Sequence, residues 1–195
     1  IDILNKNLFV DIIVRYEGEK SILEIVEGKP LSDIVGITYR CGRNIINKNS
    51  KRDRLRGEEI PIPAYNLLPK SLDNYRINVK TYRGCSYKCS FCVNGYFWDG
   101  QVFRSLDNII CELNLLEQKL PSSYLIHFCD EILGGSRDRL LELCNKLISS
   151  NIPFLYSCDL RADIVDSEVI KKMEEANFIR IFLGFEDSHN NILKI

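Results

Sequence analysis

The chain has 195 residues, 45% of them hydrophobic and 27% charged, with a formal net charge of −1. That is the make-up of a globular protein with material for one ordinary domain, or one small domain plus part of another. The charge excludes a global positive field of the kind that recruits nucleic acid or an anionic membrane surface. No apolar run approaches the roughly 18 to 20 residues that cross a bilayer, and there is no secretory signal pattern, so a cytoplasmic protein is expected.

Residues 9–14 read as an apolar strand, followed by a polar turn at 16–19, a short helix at 21–26 and another strand at 37–40. The mixed charges of 51–56 read as a solvated loop. Residues 61–69, which carry Pro61, Pro63 and Pro69, read as an extended linker, because proline disfavours helix at its own position and before it. Residues 1–70 are too few to bury a good core by themselves.

From about residue 71 strand-like and helix-like stretches alternate, which predicts βα units and a parallel sheet. Residues 76–82 alternate as a strand and run into Arg83-Gly84-Cys85. A helix comes next at 105–119, where Leu106, Ile109, Leu113, Leu116 and Leu120 recur on one face. Residues 124–129 form a strand ending at Asp130-Glu131. Gly134-Gly135 open the next helix, with Ser136 as its cap and Leu140, Leu143, Cys144 and Leu147 as its stripe. The strand at 153–160 delivers Asp159 and Arg161 to its end. Asp166 caps a third helix, and Asn177 stands where a left-handed helix stop is wanted. A fourth strand, 178–185, finishes at Glu186-Asp187, and 188–195 read as the first turns of another helix.

Eight cysteines need a reason. A secreted chain would spread them as staples. Here Cys85, Cys89 and Cys92 fall within eight residues, while Cys41, Cys111, Cys129, Cys144 and Cys158 are scattered, mostly in apolar patterns where free cysteine behaves as a small buried hydrophobe. The distribution predicts a reducing compartment and one local metal or redox site. The C-x3-C-x2-C spacing lies directly after a strand and offers three thiolates, enough for three corners of a cubane iron–sulfur cluster. The fourth iron then stays open to a small chelating molecule. A structural zinc would want four closed ligands. His127 and His189 are remote in sequence but could be brought near by folding, so a zinc-stabilised, non-enzymatic binding module stands as the alternative.

The run Arg83-Gly84-Cys85-Ser86-Tyr87-Lys88-Cys89-Ser90-Phe91-Cys92 resembles the cluster loop of the radical S-adenosylmethionine (SAM) superfamily, including the aromatic residue before the last cysteine. Further resemblances run in that family's order from about residue 76 to 190. They are Arg104-Ser105-Leu106-Asp107 leading to Glu112, Phe128-Cys129-Asp130-Glu131, Leu160-Arg161-Ala162-Asp163 and Leu183-Gly184-Phe185-Glu186-Asp187. The resemblance implies an α/β fold, a partial (βα)6 radical SAM barrel truncated to about four βα units over residues 71–195. Two further units would lie beyond Ile195. The active site would lie at the C-terminal strand ends. It implies Cys85, Cys89 and Cys92 as ligands of a [4Fe–4S] cluster. It also places Asp130, Glu131, Asp159, Arg161 and Glu186 on the same rim. Of these, Glu186 goes to the SAM ribose, Arg161 to the carboxylate, and Asp130 or Glu131 to the amino group. Gly134-Gly135 read as a helix-start loop, with a SAM-cradling pair as the other reading.

The segments 10–19, 34–40 and 61–65 resemble the end of a Rossmann-like B12-binding domain and its linker, with Tyr16 where the family has glycine, so residues 1–70 are implied to be the C-terminal remnant of such a domain. The chemistry implied by the resemblance is reductive cleavage of SAM to a 5′-deoxyadenosyl radical. With cobalamin in the full-length protein, the outcome would be methyl transfer, with ring formation or rearrangement as rivals. The implied partners are a small-molecule substrate and an external electron donor of flavodoxin or ferredoxin type. A radical SAM enzyme modifying tRNA is the other alternative; nucleic acid is not expected, given the charge.

Overall fold

The structure is a computed structural model that describes residues 2–42, 44–47, 50–67 and 77–189. The chain divides into two compact units, residues 1–55 and 56–195. The expected end of the first piece at residue 70 lies in a stretch outside the described residues.

The first unit holds helix α1 (Asp2–Lys6), strand β1 (Ile12–Val14), helix α2 (Glu19–Val26), and strands β2 (Ile37–Cys41) and β3 (Asn44–Asn47). The strands form an antiparallel sheet in the order β1-β2-β3. Helix α1 and strand β3 carry no periodic apolar signal long enough to read from sequence. The core here is a buried cluster of Ile34, Ile37 and Tyr39, with Ile12, Val14, Ile25 and Leu31 partly buried against it. Tyr16 adopts φ 64°, the left-handed conformation that glycine takes without cost, and Lys51 Nζ lies 4.7 Å from its ring centroid. The charge run is not wholly solvated. Arg52 pairs with Glu24 and donates to Ser21 Oγ at 3.0 Å, while Leu55 is buried.

The second unit contains β4 (Ile77–Val79), β5 (Tyr82–Arg83), α3 (Asn94–Phe97), β6 (Val102–Phe103), α4 (Leu106–Glu117), β7 (Leu125–Phe128), α5 (Arg137–Ser150), β8 (Leu155–Arg161), α6 (Ser167–Glu175) and β9 (Phe178–Gly184). Strands β4-β7-β8-β9 form one parallel sheet in sequential order, the expected α/β arrangement. The last expected helix falls almost wholly on residues outside those described. The single strand expected at 76–82 breaks after Val79, and β5 instead pairs with β6 as a two-stranded ribbon. Two strands this short have no sequence period to betray them.

Ser136 and Asp166 cap their helices as expected, accepting from Arg139 N and Val169 N, and Asn177 sits at φ 63°; Ser105, read as the first helical residue, is instead the cap of α4 and accepts from Asn108 N. Ile109, Leu113 and Leu116 of α4 and Leu140, Leu143, Cys144 and Leu147 of α5 pack on Ile126, Phe128, Tyr156 and Cys158 from the sheet. These strand residues alternate, so one face of the sheet is covered by helices and the intervening side chains point to the other. Cys144 and Cys158 are buried as expected and Cys129 is half-buried. Cys41 and Cys111 are exposed, contrary to expectation. Cys41 ends its strand at a turn, and Cys111 falls between the inward positions of α4.

Residues 56–67 are no free linker. Tyr65 is buried in the second unit, and its hydroxyl donates to Glu112 Oε1. Glu112 in turn pairs with Arg104, whose Nη1 donates to Lys80 O at 2.7 Å and whose Nε donates to Asn108 at 2.7 Å. Both charges are almost wholly buried. Removing one member of such a pair strands the other in a low-dielectric interior. Glu112→Ala is expected to lower stability by about 3–5 kcal/mol, read as a fall in the urea midpoint with unchanged slope.

Candidate functional site

Strand β7 ends at Phe128, and its continuation places Asp130 beside the chain that leaves β4. Asp130 is buried and accepts from Thr81 N at 2.7 Å, from Tyr82 N at 3.3 Å and from the Thr81 hydroxyl. Burial pushes its carboxyl up to about 6, against the opposing pull of those hydrogen bonds. Tyr82 adds a second tie. Its hydroxyl donates to Ile132 O at 2.7 Å and accepts from Ile132 N at 3.2 Å. The root of the cysteine loop is thus fixed to the end of the neighbouring strand.

The loop itself spans 84–101, between β5 and β6. Gly84 has φ 93°, and a Cβ there would overlap the Gly100 carbonyl oxygen, so the two limbs close only on glycine. Cys85, Cys89 and Cys92 are free and half-buried, and Cys92 N donates to Cys89 O at 3.0 Å in a tight turn. Burial pushes the Cys85 thiol up, with Glu131, Cys92 and Cys89 close enough to add to the shift. The loop therefore carries all three thiols on one short stretch of backbone, 85–92. Among the described residues no three His, Cys, Asp or Glu side chains converge as a ready-made ion site.

Neither histidine joins the cysteines. His127 is buried and engaged with Ser157 and Asp159, and His189 is bonded to Asp187 at 2.8 Å. The group near Cys85 is instead Glu131. Its Oε1 accepts from Lys80 Nζ at 3.1 Å, while Oε2 is buried with no hydrogen-bond partner. An unsatisfied buried carboxylate oxygen costs stability unless a donor reaches it. Three thiols with an unspent carboxylate oxygen beside them fit a three-cysteine cluster and the amino group of a chelating amino acid.

Arg161 ends β8 with its guanidinium 4.0 Å from the Tyr87 ring centroid and bidentate on Asp163 at 3.0 and 2.8 Å. It thereby docks the cysteine loop onto the sheet. Arg161 is opposite Gly184 in the β8–β9 register, which carries Glu186, exposed at φ 56°, to the same rim. Of the rim residues expected from sequence, Glu131, Asp159, Arg161 and Glu186 stay accessible to a ligand or carry an unspent oxygen. Asp130 does not: both its oxygens are spent on Thr81 and Tyr82, so it braces the loop. Gly134 lies before α5, where a Cβ would crowd Leu140 N at 2.9 Å, which makes this pair a packed helix-start loop. Thr81, Tyr82 and Tyr87 do not stand out as site residues in the sequence. The Thr-Tyr pair before Gly84 and the aromatic between the first two cysteines are the only signals it offers for them.

Residues 79–195 match the family description "Radical SAM superfamily". The chain is 27% identical over 199 residues to an uncharacterized methyltransferase of Pyrococcus horikoshii, spanning 95% of this chain and 42% of that protein. It is 25% identical over 199 residues to the anaerobic magnesium-protoporphyrin IX monomethyl ester cyclase of Rubrivivax gelatinosus, spanning 94% of this chain and 36% of that protein. The fold is similar to the apo, selenomethionine-labelled cobalamin-dependent S-adenosylmethionine radical enzyme OxsB, with a TM-score of 0.72 and 21% identity over 94% of this chain and 29% of that one. The chain thus spans less than half the length of these relatives.

Two outcomes test this geometry. Gly84→Ala is expected to cut iron incorporation on anaerobic reconstitution to about a tenth or less, while far-UV circular dichroism is retained, because a β-carbon there is both strained and overlapping. Asp130 keeps its proton up to about pH 6 when folded, against 3.8 for an ordinary aspartate, so folding takes up a proton between these values. Its contribution is therefore full below pH 3.8, declines as pH rises, and is flat above about 6. Asp130→Asn is expected to remove that slope from denaturant midpoints measured across the range.

Proposed function

The chain belongs to the radical SAM superfamily of enzymes, and from that premise we propose that Cys85, Cys89 and Cys92 hold a [4Fe–4S] cluster at which SAM binds. The observation that carries this is the glycine-closed loop of three free thiols with the unpartnered oxygen of Glu131 beside Cys85. When bound and reduced by an external one-electron donor, the cluster would pass an electron to SAM, whose C5′–S bond would break to give methionine and a 5′-deoxyadenosyl radical able to abstract hydrogen from a substrate. Cofactor chemistry of this kind needs geometry and dryness from the protein.

The position of each residue supports a part for it. Glu131 Oε2 accepts from the SAM ammonium, which satisfies an oxygen that is otherwise orphaned. Arg161, steadied by Tyr87 and Asp163, faces the carboxylate, and Glu186 accepts from ribose hydroxyls on the adjoining strand end. Asp130, Thr81 and Tyr82 keep the loop at a set height above the sheet. The exposed apolar side chains of Leu183 and Phe185 at β9 are what a further βα unit of a (βα)6 barrel would cover.

The finer reading is a cobalamin-dependent methyl transfer, with residues 1–55 as the C-terminal part of a cobalamin-binding domain and a flavodoxin- or ferredoxin-type protein as reductant. It is supported by the methyltransferase and cobalamin-dependent names among the relatives. The cyclase relative supports ring formation as the second outcome. The substrate in either case is a small molecule.

The test is anaerobic reconstitution with iron and sulfide, followed by EPR of the reduced protein. A cluster signal that shifts on adding SAM, with 5′-deoxyadenosine released under reduction, is expected; Cys89→Ala should lose both. Glu131→Ala should weaken SAM binding about ten-fold or more, the worth of a charge-assisted hydrogen bond. A colourless protein carrying one air-stable zinc would overturn the proposal in favour of a binding module.

A further inference from the structure

The face of the parallel sheet turned away from the helices carries a polar row that the cluster site does not use. Alternation along β7, β8 and β9 sends Ile126, Phe128, Tyr156 and Cys158 to the helical core. The intervening residues His127, Ser157, Asp159, Arg180 and Phe182 therefore share the opposite face. His127 is paired with Ser157 in the β7–β8 register, and Asp159 with Phe182 in the β8–β9 register.

Three of these form a hydrogen-bonded chain. Ser157 Oγ lies 2.9 Å from His127 Nδ1, and His127 Nε2 lies 3.1 Å from Asp159 Oδ2. With the ring proton on Nε2, His127 donates to the carboxylate and accepts from the serine hydroxyl. Ser157 and His127 are buried, whereas the Asp159 side chain is 47% exposed. Among the described residues only Oδ2 of that carboxylate is engaged. A purely structural chain of buried polar groups would close on itself, since open ends in a core are costly. This one ends in a hydrogen-bonded carboxylate presented on that face.

We infer that Asp159, positioned by His127 and Ser157, anchors a substrate group that donates a hydrogen bond, a protonated nitrogen or a hydroxyl, carried on an apolar body. The inference rests on the proposed radical SAM function and deepens it. Fixing the carboxylate beforehand removes the ordering cost that a free side chain adds to binding. The apolar body is implied by Phe182, which is opposite Asp159, 43% exposed, and edge-on to His127 at 6.1 Å between ring centroids. The other charges on this face are Arg180, opposite Ser157, with its guanidinium 6.0 Å from the Phe182 ring centroid, and Arg161 at the end of β8, which is bidentate on Asp163. An anionic group goes to Arg180, not to Asp159.

The chain has only two histidines, so ring 15N NMR reports on this row directly. The cluster-loaded chain is titrated with n-hexylammonium and, separately, with hexanoate. The expected result is a saturable shift of the His127 ring signals with the cation, none with the anion, and affinity about ten-fold weaker in Asp159→Asn. His127→Gln, which unseats the carboxylate without removing it, is expected to weaken the cation several-fold. No shift, an equal response to both probes, or undiminished affinity in Asp159→Asn would overturn the inference. So would competition by SAM for the cation, which would assign Asp159 to the cofactor. A wild-type cluster signal indifferent to SAM would count against the cofactor reading alone, since the NMR titration needs no SAM.

Discussion

Asp130 receives two backbone amides and a hydroxyl from the two residues that open the cysteine loop, and it does so from the end of the neighbouring strand. A loop of eighteen residues, 84–101, has little of its own to hold it, because its only regular pieces are a single helical turn and the ribbon at its base. The carboxylate converts the sheet's rigidity into a fixed origin for that loop. Its burial opposes the charged form, so the tie holds only while hydrogen bonds outweigh desolvation. Tyr82 on Ile132 and Arg161 on Tyr87 then pin the loop at two further points. Three contacts, two from the segment after β7 and one from the end of β8, thus determine where the cysteines stand.

Much of this is legible in the sequence. The α4 and α5 stripes, the caps at Ser136 and Asp166, the stop at Asn177 and the order of four parallel strands all come from periods and local chemistry. The cysteine spacing and strand-end charges locate the rim. The hidden part depends on partners distant in sequence. Tyr65 meets Glu112 across 47 residues and Thr81 meets Asp130 across 49, so neither has a local pattern. Asp130 and Glu131 are chemically alike and adjacent, yet one is fully spent and the other keeps an open oxygen. Both lie past the end of β7, where no strand period applies, and only the folded chain reveals which of them faces the loop root.

On the proposed reading the sheet separates two tasks. Its rim collects the cysteines, Glu131, Arg161 and Glu186, a mixture of charges suited to a molecule with an ammonium, a carboxylate and hydroxyls. The face turned away from the helices carries His127, Asp159, Arg180 and Phe182, with the Asp159 carboxylate opposite an aromatic ring. Strand ends and strand faces are set by different positions along the same strands. Chemistry at the rim can therefore stay constant while the face beneath it changes to suit another substrate.

The central claim is that this polypeptide offers a cubane cluster three sulfurs and leaves one iron to SAM. Mössbauer spectroscopy of chain reconstituted with 57Fe addresses it without need of a substrate. One iron of the cluster is expected to stand apart from the rest and to change its isomer shift and quadrupole splitting when SAM is added. Irons that are all alike and indifferent to SAM would show that a further protein ligand closes the cluster, and the account would be wrong.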